Sequence, residues 1–298
     1  MPNSPKPSFA DYLHLHFLVV IWGFTAILGK LISADLSRIS LTFFRTLLAA
    51  IGLALVLWLR KEWRQVSPKD RWGMLGVGVL MGVHWLTFFA SAHVSSASVC
   101  LAGMSTSSLF TSLLEPLFSR RKIRPLEVGL SLVVIVGLYL IFRFEFEQSW
   151  GLGLALISAF LAALFTIANS RFVKRHQAML ITFYEMSGAN LGMLVGLLGV
   201  AATSGLSRVE LLPQPKDWTW LLVLALICTV YAYSAGVHLL RKISPFTFNL
   251  TVNLEPVYGI GLAYLILDEK MTAGFYIGTL VILLAVLTYP LLNNRFPA

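Results

Sequence analysis

The sequence predicts an all-α integral membrane protein of ten transmembrane helices, arranged as two inverted five-helix repeats. Three observations carry that expectation. Hydrophobic residues make up 57% of the 298-residue chain and charged residues only 12%, roughly half the charged fraction of a soluble domain. The apolar residues gather into runs of about 20, the length that crosses a bilayer as a helix. Segments of the first half also reappear, in order, in the second.

The runs span residues 13–33, 38–59, 72–91, 96–118, 125–143, 151–170, 178–201, 218–240, 245–267 and 273–293. The first opens on WGF at 22–24 and carries Lys30 near its end. Its length and weak basic leader argue against a cleaved signal peptide. The second contains Arg45, and the third His84 and Trp85. The fourth places Ser105, Ser108, Thr111, Ser112 and Glu115 within one narrow helical arc. Such a stripe either wets a path or packs closely against other helices. The fifth and sixth are almost wholly apolar, and the seventh holds Glu185. The eighth repeats the stripe pattern with Tyr231, Ser234, His238 and Arg241, and the ninth contains NLTVNLEPVYG at 249–259. The longest connector, 202–217, contains Gly205, Pro213 and Pro215 and reads as a loop. No strand is required, because a helix satisfies its own backbone groups in lipid.

A net charge of +9 raises the question of nucleic acid, and its distribution answers it. When connectors are assigned to alternating sides, 16 Lys and Arg fall on the side of the termini and 5 on the other. The positive-inside rule then puts a multi-pass chain in the cytoplasmic (inner) membrane with both termini cytoplasmic. Basicity encodes orientation, and no nucleic-acid partner is expected. Cys100 and Cys228 lie in predicted spans without zinc-type spacing.

The repeat is read from short matches. LTFFR at 41–45 resembles ITFYE at 181–185, Asp70 and Trp72 match Asp217 and Trp220, and Gly129 matches Gly278. The repeats are therefore residues 1–146 and 147–298. Five spans each is an odd number, so the second repeat enters the membrane from the opposite side. Inverted repeats are common in secondary transporters, whose sites lie near the midplane between the halves. A chain that carries both halves needs no second copy to complete a cavity.

WGF at 22–24, Lys30, FFR at 43–45, LEP at 254–256, DEK at 268–270 and Gly278 together resemble the drug/metabolite transporter superfamily, of the EamA-like type. The resemblance covers nearly the whole chain. It implies ten helices in two five-helix halves, a central cavity, and a carrier of small metabolites that is often an exporter. One feature departs from symmetry. LLEP at 113–116 looks like a twin of NLEP at 253–256, yet the repeat register pairs Pro256 with Ser107.

Candidate site residues are the polar groups that lipid disfavours. A carboxylate in the bilayer costs several kcal/mol, roughly 3 or more, so Glu255 should face the bundle interior. Pro256 removes the helical donor of the Val252 carbonyl and predicts a kink. Glu255, Thr251 and Tyr258 share one face, and Asn249 and Asn253 nearly the opposite one. The Glu255 face is the one expected to serve a ligand or a proton, with retention of the kink as its alternative. Arg45 either grips a substrate carboxylate or forms an ion pair with Glu185 or Glu255. Glu185 takes the position of Arg45 in the second repeat. His84 either relays protons or bonds a neighbouring helix. Trp22 and Trp85 line a cavity or pack, and Asn253 either joins the pathway or bonds another helix. If transport is coupled to protons, Glu255 is the first choice of site and His84 the second.

The GxxxxGK[ST] loop, HExxH and a complete GxSxG elbow are all missing, so no cofactor or metal is expected and ATP does not drive the chain directly. The function expected is secondary active transport of small metabolites, amino-acid-like or drug-like, by alternating access, with export as the direction. The partners are then a small-molecule substrate, the lipid bilayer and, if coupled, protons. The alternative is a membrane-embedded enzyme acting on a lipid-linked substrate.

Overall fold

A computed structural model describes residues 7–33, 35–95, 97–142, 149–203, 211–259 and 273–295. Among them all regular structure is helical: α1 (Phe9–Leu31), α2 (Arg38–Leu59), α3 (Pro68–Val94), α4 (Ala97–Met104), α5 (Ser107–Ser119), α6 (Pro125–Phe142), α7 (Ser149–Phe172) and α8 (Ala178–Thr203). These are followed by α9 (Asp217–Leu239), α10 (Pro245–Val252) and α11 (Ala273–Arg295). Local chemistry sets several starts. Ser37 caps α2 by accepting from the Ser40 N–H, and Ser244 caps α10 by accepting from Thr247, with Pro245 at the first turn where no N–H is needed.

Five helices, α2, α3, α7, α8 and α9, are long and apolar enough to cross a membrane, and shorter apolar stretches lie in α1, α6 and α11. Exposed apolar side chains form stripes at helical spacing: Ile51, Leu55 and Trp58 on α2, Leu191, Val195 and Leu198 on α8, and Leu280, Leu284 and Leu287 on α11. Stripes of this size meet lipid rather than water in a multi-pass membrane protein.

Three expected spans differ in detail. The fourth is two helices, α4 and α5, separated by a turn at Ser105 and Thr106. The eighth carries a π-helical stretch, Leu224–Tyr231, inside α9. In the ninth, α10 ends at Val252, Asn253 and Leu254 form a turn, and helix resumes over 255–259. The break thus precedes the proline, because the Pro256 ring clashes with and leaves undonated the carbonyl four residues back. The rest of this run, DEK at 268–270 and 204–210 of the long connector lie outside the described residues.

The chain forms two compact units, and each draws on both sequence halves. The first contains α1 from Ile21, α2, α3 to Leu86, the end of α7, α8 and α9. Here α2 packs on α8 and on the π stretch. α3 and α8 cross at two glycines, where a Cβ on Gly78 would strike the Glu185 carbonyl and one on Gly188 the Leu75 carbonyl. Two aspartates at helix starts hold connectors. Asp70 binds His176 at 2.8 Å and Arg175 at 3.1 Å, beyond the end of α7. Asp217 accepts from the Ser33 N–H (2.9 Å) and hydroxyl (2.8 Å), beyond the end of α1, and from the Gln214 N–H at 2.9 Å. Asp217→Ala leaves the buried Ser33 N–H without its acceptor. The expected loss is about 2 kcal/mol or more, seen as a lower melting temperature of the purified protein; Asp217→Asn, which keeps one acceptor oxygen, loses less.

The second unit holds the start of α1, the end of α3, α4 to α6, most of α7, α10, residues 255–259 and α11. α6 packs on α11, and α5 on α10. Glu127, 2% exposed, gathers Arg121 (2.8 Å), Arg124 (3.5 Å) and the Tyr289 hydroxyl (3.0 Å), while Arg121 also reaches Glu115 at 3.1 Å. Part of the basic connector 120–124 is thereby neutralised against helix ends.

Candidate functional site

In the first unit the π stretch organises the site. A π turn carries an extra residue per turn and occurs often where function demands it. Thr229 donates its hydroxyl to the Leu224 carbonyl, five residues back, at 2.9 Å. The Thr229 hydroxyl oxygen in turn accepts from Arg45 Nε at 3.1 Å. One residue earlier, the Cys228 carbonyl accepts from Trp22 Nε1 at 3.3 Å. Arg45 is 5% exposed, and its guanidinium lies 4.0 Å from the centroid of the Trp85 ring. The cation is therefore held on one face by an aromatic quadrupole and fixed in direction by a hydroxyl. A planar donor fork fixed in this way suits a carboxylate or another planar anion.

Glu185, 0% exposed on α8, accepts from the Tyr233 hydroxyl at 3.1 Å, and Tyr233 accepts from Asn169 Nδ2 at 2.8 Å. The ion pair between Arg45 and Glu185 weighed from the sequence is not formed; tyrosine takes the carboxyl instead. His84, 8% exposed, belongs to the same unit. Arg45, Trp85, Trp22, Glu185 and His84 are thus brought into one unit.

Glu255, Asn253, Pro256 and Tyr258 belong to the other. Glu255 is half-buried and opens the helical stretch that comes after the turn, with Pro256 buried beside it. The Tyr258 hydroxyl meets His16 Nδ1 at 2.7 Å. Asn253 Nδ2 donates to the Ser105 carbonyl (3.3 Å) and the Ser108 hydroxyl (3.1 Å), and Asn249 Nδ2 to Thr111 at 2.7 Å. Thr166 donates to Asn249 Oδ1 at 3.3 Å. The small polar stripe of the fourth run therefore receives the asparagines of the ninth. In the eighth run, Tyr231 and His238 are exposed while Ser234 is buried. Arg241 is exposed as well, so of the expected stripe only Ser234 is buried.

Sequence reasoning missed Thr229, Tyr233, Asn169 and His16. Asn169 had a signal, as an amide inside an otherwise apolar run. Thr229 had none, since its role comes from the π turn.

The model of the EamA-like transporter family matches residues 12–143 and again 149–289. An uncharacterized transporter of Synechocystis sp., sll1164, is 26% identical over 264 residues, which is 81% of this chain and 73% of that protein. An uncharacterized transporter of Archaeoglobus fulgidus is 25% identical over 283 residues, 92% of this chain and 95% of that protein. A crystal structure, described only as that of a protein, aligns with a TM-score of 0.77 at 16% identity, covering 96% of this chain and 99% of that one. Identity this low speaks for the fold alone.

Proposed function

We propose, from the premise that the chain belongs to the EamA-like transporter family, that it is a secondary active carrier that exports small amino-acid-like or drug-like metabolites across the cytoplasmic membrane by alternating access. The family consists of transporters, so the protein is not an enzyme, and the lipid-linked alternative is set aside. The observation that carries the reading is Arg45, a buried guanidinium stacked on Trp85 and aimed by Thr229. An intramembrane cation so held marks a substrate path, and its chemistry selects substrates with a carboxylate or similar anionic group.

Two inverted repeats, 1–146 and 147–298, supply the machinery in this reading. The double family match supports them, as do Asp70 and Asp217, each holding the connector that comes after the other half's first span. The cytoplasmic placement of both termini rests on the 16 to 5 division of basic residues. Inverted halves open a midplane site to each side in turn. Arg45, Trp85, Trp22, Glu185, His84, Glu255, Asn253 and Tyr258 are the residues this reading assigns to the transport pathway.

The test is untargeted profiling of the medium from cells expressing the wild type, Glu255→Gln, or neither. The expected result is a small set of acidic or zwitterionic metabolites that accumulate outside only with the wild type. With Glu255→Gln they fall toward the level of cells lacking the protein. Equal export by both would remove Glu255 from the pathway. No difference among the three cultures would overturn export.

A further inference from the structure

We propose that Glu185, with Tyr233 and Asn169, forms a buried proton-binding site, and that this proton is the coupling ion of the carrier. The coupling rests on the transport reading above; the site itself stands on geometry. Glu185 is 0% exposed within the apolar helix α8. One of its oxygens, Oε2, accepts from Tyr233, while Oε1 is buried without a hydrogen-bond partner. In the same cluster Asn169 donates from Nδ2 to Tyr233, and its Oδ1 is also buried without a partner.

The charged and titratable groups on the elements packed around α8 leave the carboxyl without a cation among the described residues. On α2, Arg45 is directed to Thr229 and Trp85. On α3, Asp70 is held by His176 and Arg175, and His84 is not among the groups that act on the Glu185 carboxyl. On α9, Tyr231 and His238 are exposed, and Tyr233 is the group that faces the carboxyl. Burial away from any cation gives a carboxyl an environment in which it can take up a proton.

The orphaned atoms fit that proton. On Oε1 it converts an unsatisfied acceptor into a donor, in a cluster whose other orphan, Asn169 Oδ1, is an acceptor. When the site opens to water the proton leaves to a water molecule, and the carboxylate keeps the electron pair. The Tyr233 hydroxyl still donates to it. Proton relays built from buried carboxyls are the common use of such groups in membrane carriers.

Infrared difference spectroscopy of the full-length purified protein reads the site without any substrate. The wild type should show, at neutral pH, the C=O band of a buried protonated carboxyl that shifts in D2O and disappears on alkalinisation. Glu185→Gln should lack that band. Tyr233→Phe should keep it at higher frequency, because the carbonyl oxygen loses its donor. A wild type without the band, a band unchanged in Glu185→Gln, or one indifferent to D2O overturns the site. Coupling is read in proteoliposomes with a metabolite found by profiling. The wild type should accumulate it against its gradient when a proton gradient is imposed, and Glu185→Gln should lose that gradient-driven accumulation. Wild-type flux indifferent to the proton gradient overturns the coupling and leaves the carrier reading intact. Absence of flux in both overturns the carrier reading, while the infrared result still decides the site.

Discussion

Gly78→Ala and Gly188→Ala will each lower the melting temperature and the membrane yield of the protein, whereas Gly76→Ala, two residues from Gly78 on the same helix, will not. A Cβ at Gly76 meets nothing within 4 Å. There alanine brings only its higher helix propensity, worth up to about 1 kcal/mol. At Gly78 the added carbon runs into the Glu185 carbonyl, and at Gly188 into that of Leu75. The obstacle is backbone in both cases, so no rotamer change relieves it and the helices must separate. Overpacking of this kind costs about 1–3 kcal/mol, and more where nothing can give. Both glycines serve one crossing, so the double variant should lose less than the sum of the singles. Equal melting temperatures for Gly76→Ala and Gly78→Ala would show that α3 and α8 do not approach so closely. The effect also reaches the site, because Glu185 belongs to the segment that would be pushed.

The all-helical, apolar character of the chain and the approximate place of its long apolar helices were readable, because hydropathy sums over windows of the length lipid requires. That averaging conceals short breaks. Ser105 and Thr106 interrupt the fourth run without a proline or glycine between them to mark the turn. Pro256 did mark the break in the ninth run, but one turn late, since its steric effect acts on the carbonyl behind it. The charged candidates were legible for the same reason they are rare: Arg45, Glu185 and Glu255 are costly inside a membrane. Their partners were not. Thr229, Tyr233 and Asn169 are neutral, and neutral polar residues are ordinary in membrane helices. Which of them meets a charge depends on the rotation of one helix against another, and at Thr229 on a π turn that periodicity cannot foresee. The compact units were hidden as well. Matching LTFFR to ITFYE suggests where a chain was duplicated, yet contact joins α2 with α8 across the two halves.

Arg45→Met is expected to abolish transport while leaving the melting temperature unchanged or higher. The dissociation stems from the energetics of a buried cation. Its desolvation opposes folding, and an apolar side chain of similar volume is often neutral or stabilising in its place. Against that, stacking on Trp85 contributes up to about 2 kcal/mol, and the bond from Nε to Thr229 about 1.5–3 kcal/mol. These interactions hold the guanidinium in one orientation, with Nε on the hydroxyl and the plane on the ring. Lysine keeps the charge but has neither the flat face nor the fixed fork, so Arg45→Lys should also lose most transport. Thr229→Val removes the hydroxyl alone and should slow transport by about tenfold, the equivalent of roughly 1.4 kcal/mol. The measurement is export of the profiled metabolite, set beside thermal unfolding of each purified variant. If Arg45→Lys exports like the wild type, a point charge suffices and the orientation given by Trp85 and Thr229 is irrelevant. If Arg45→Met exports normally, the cation is a structural relic and recognition of an anionic substrate must come from elsewhere in the pathway. Loss of transport with retained or improved stability is the outcome that ties this cation to substrate rather than to the fold.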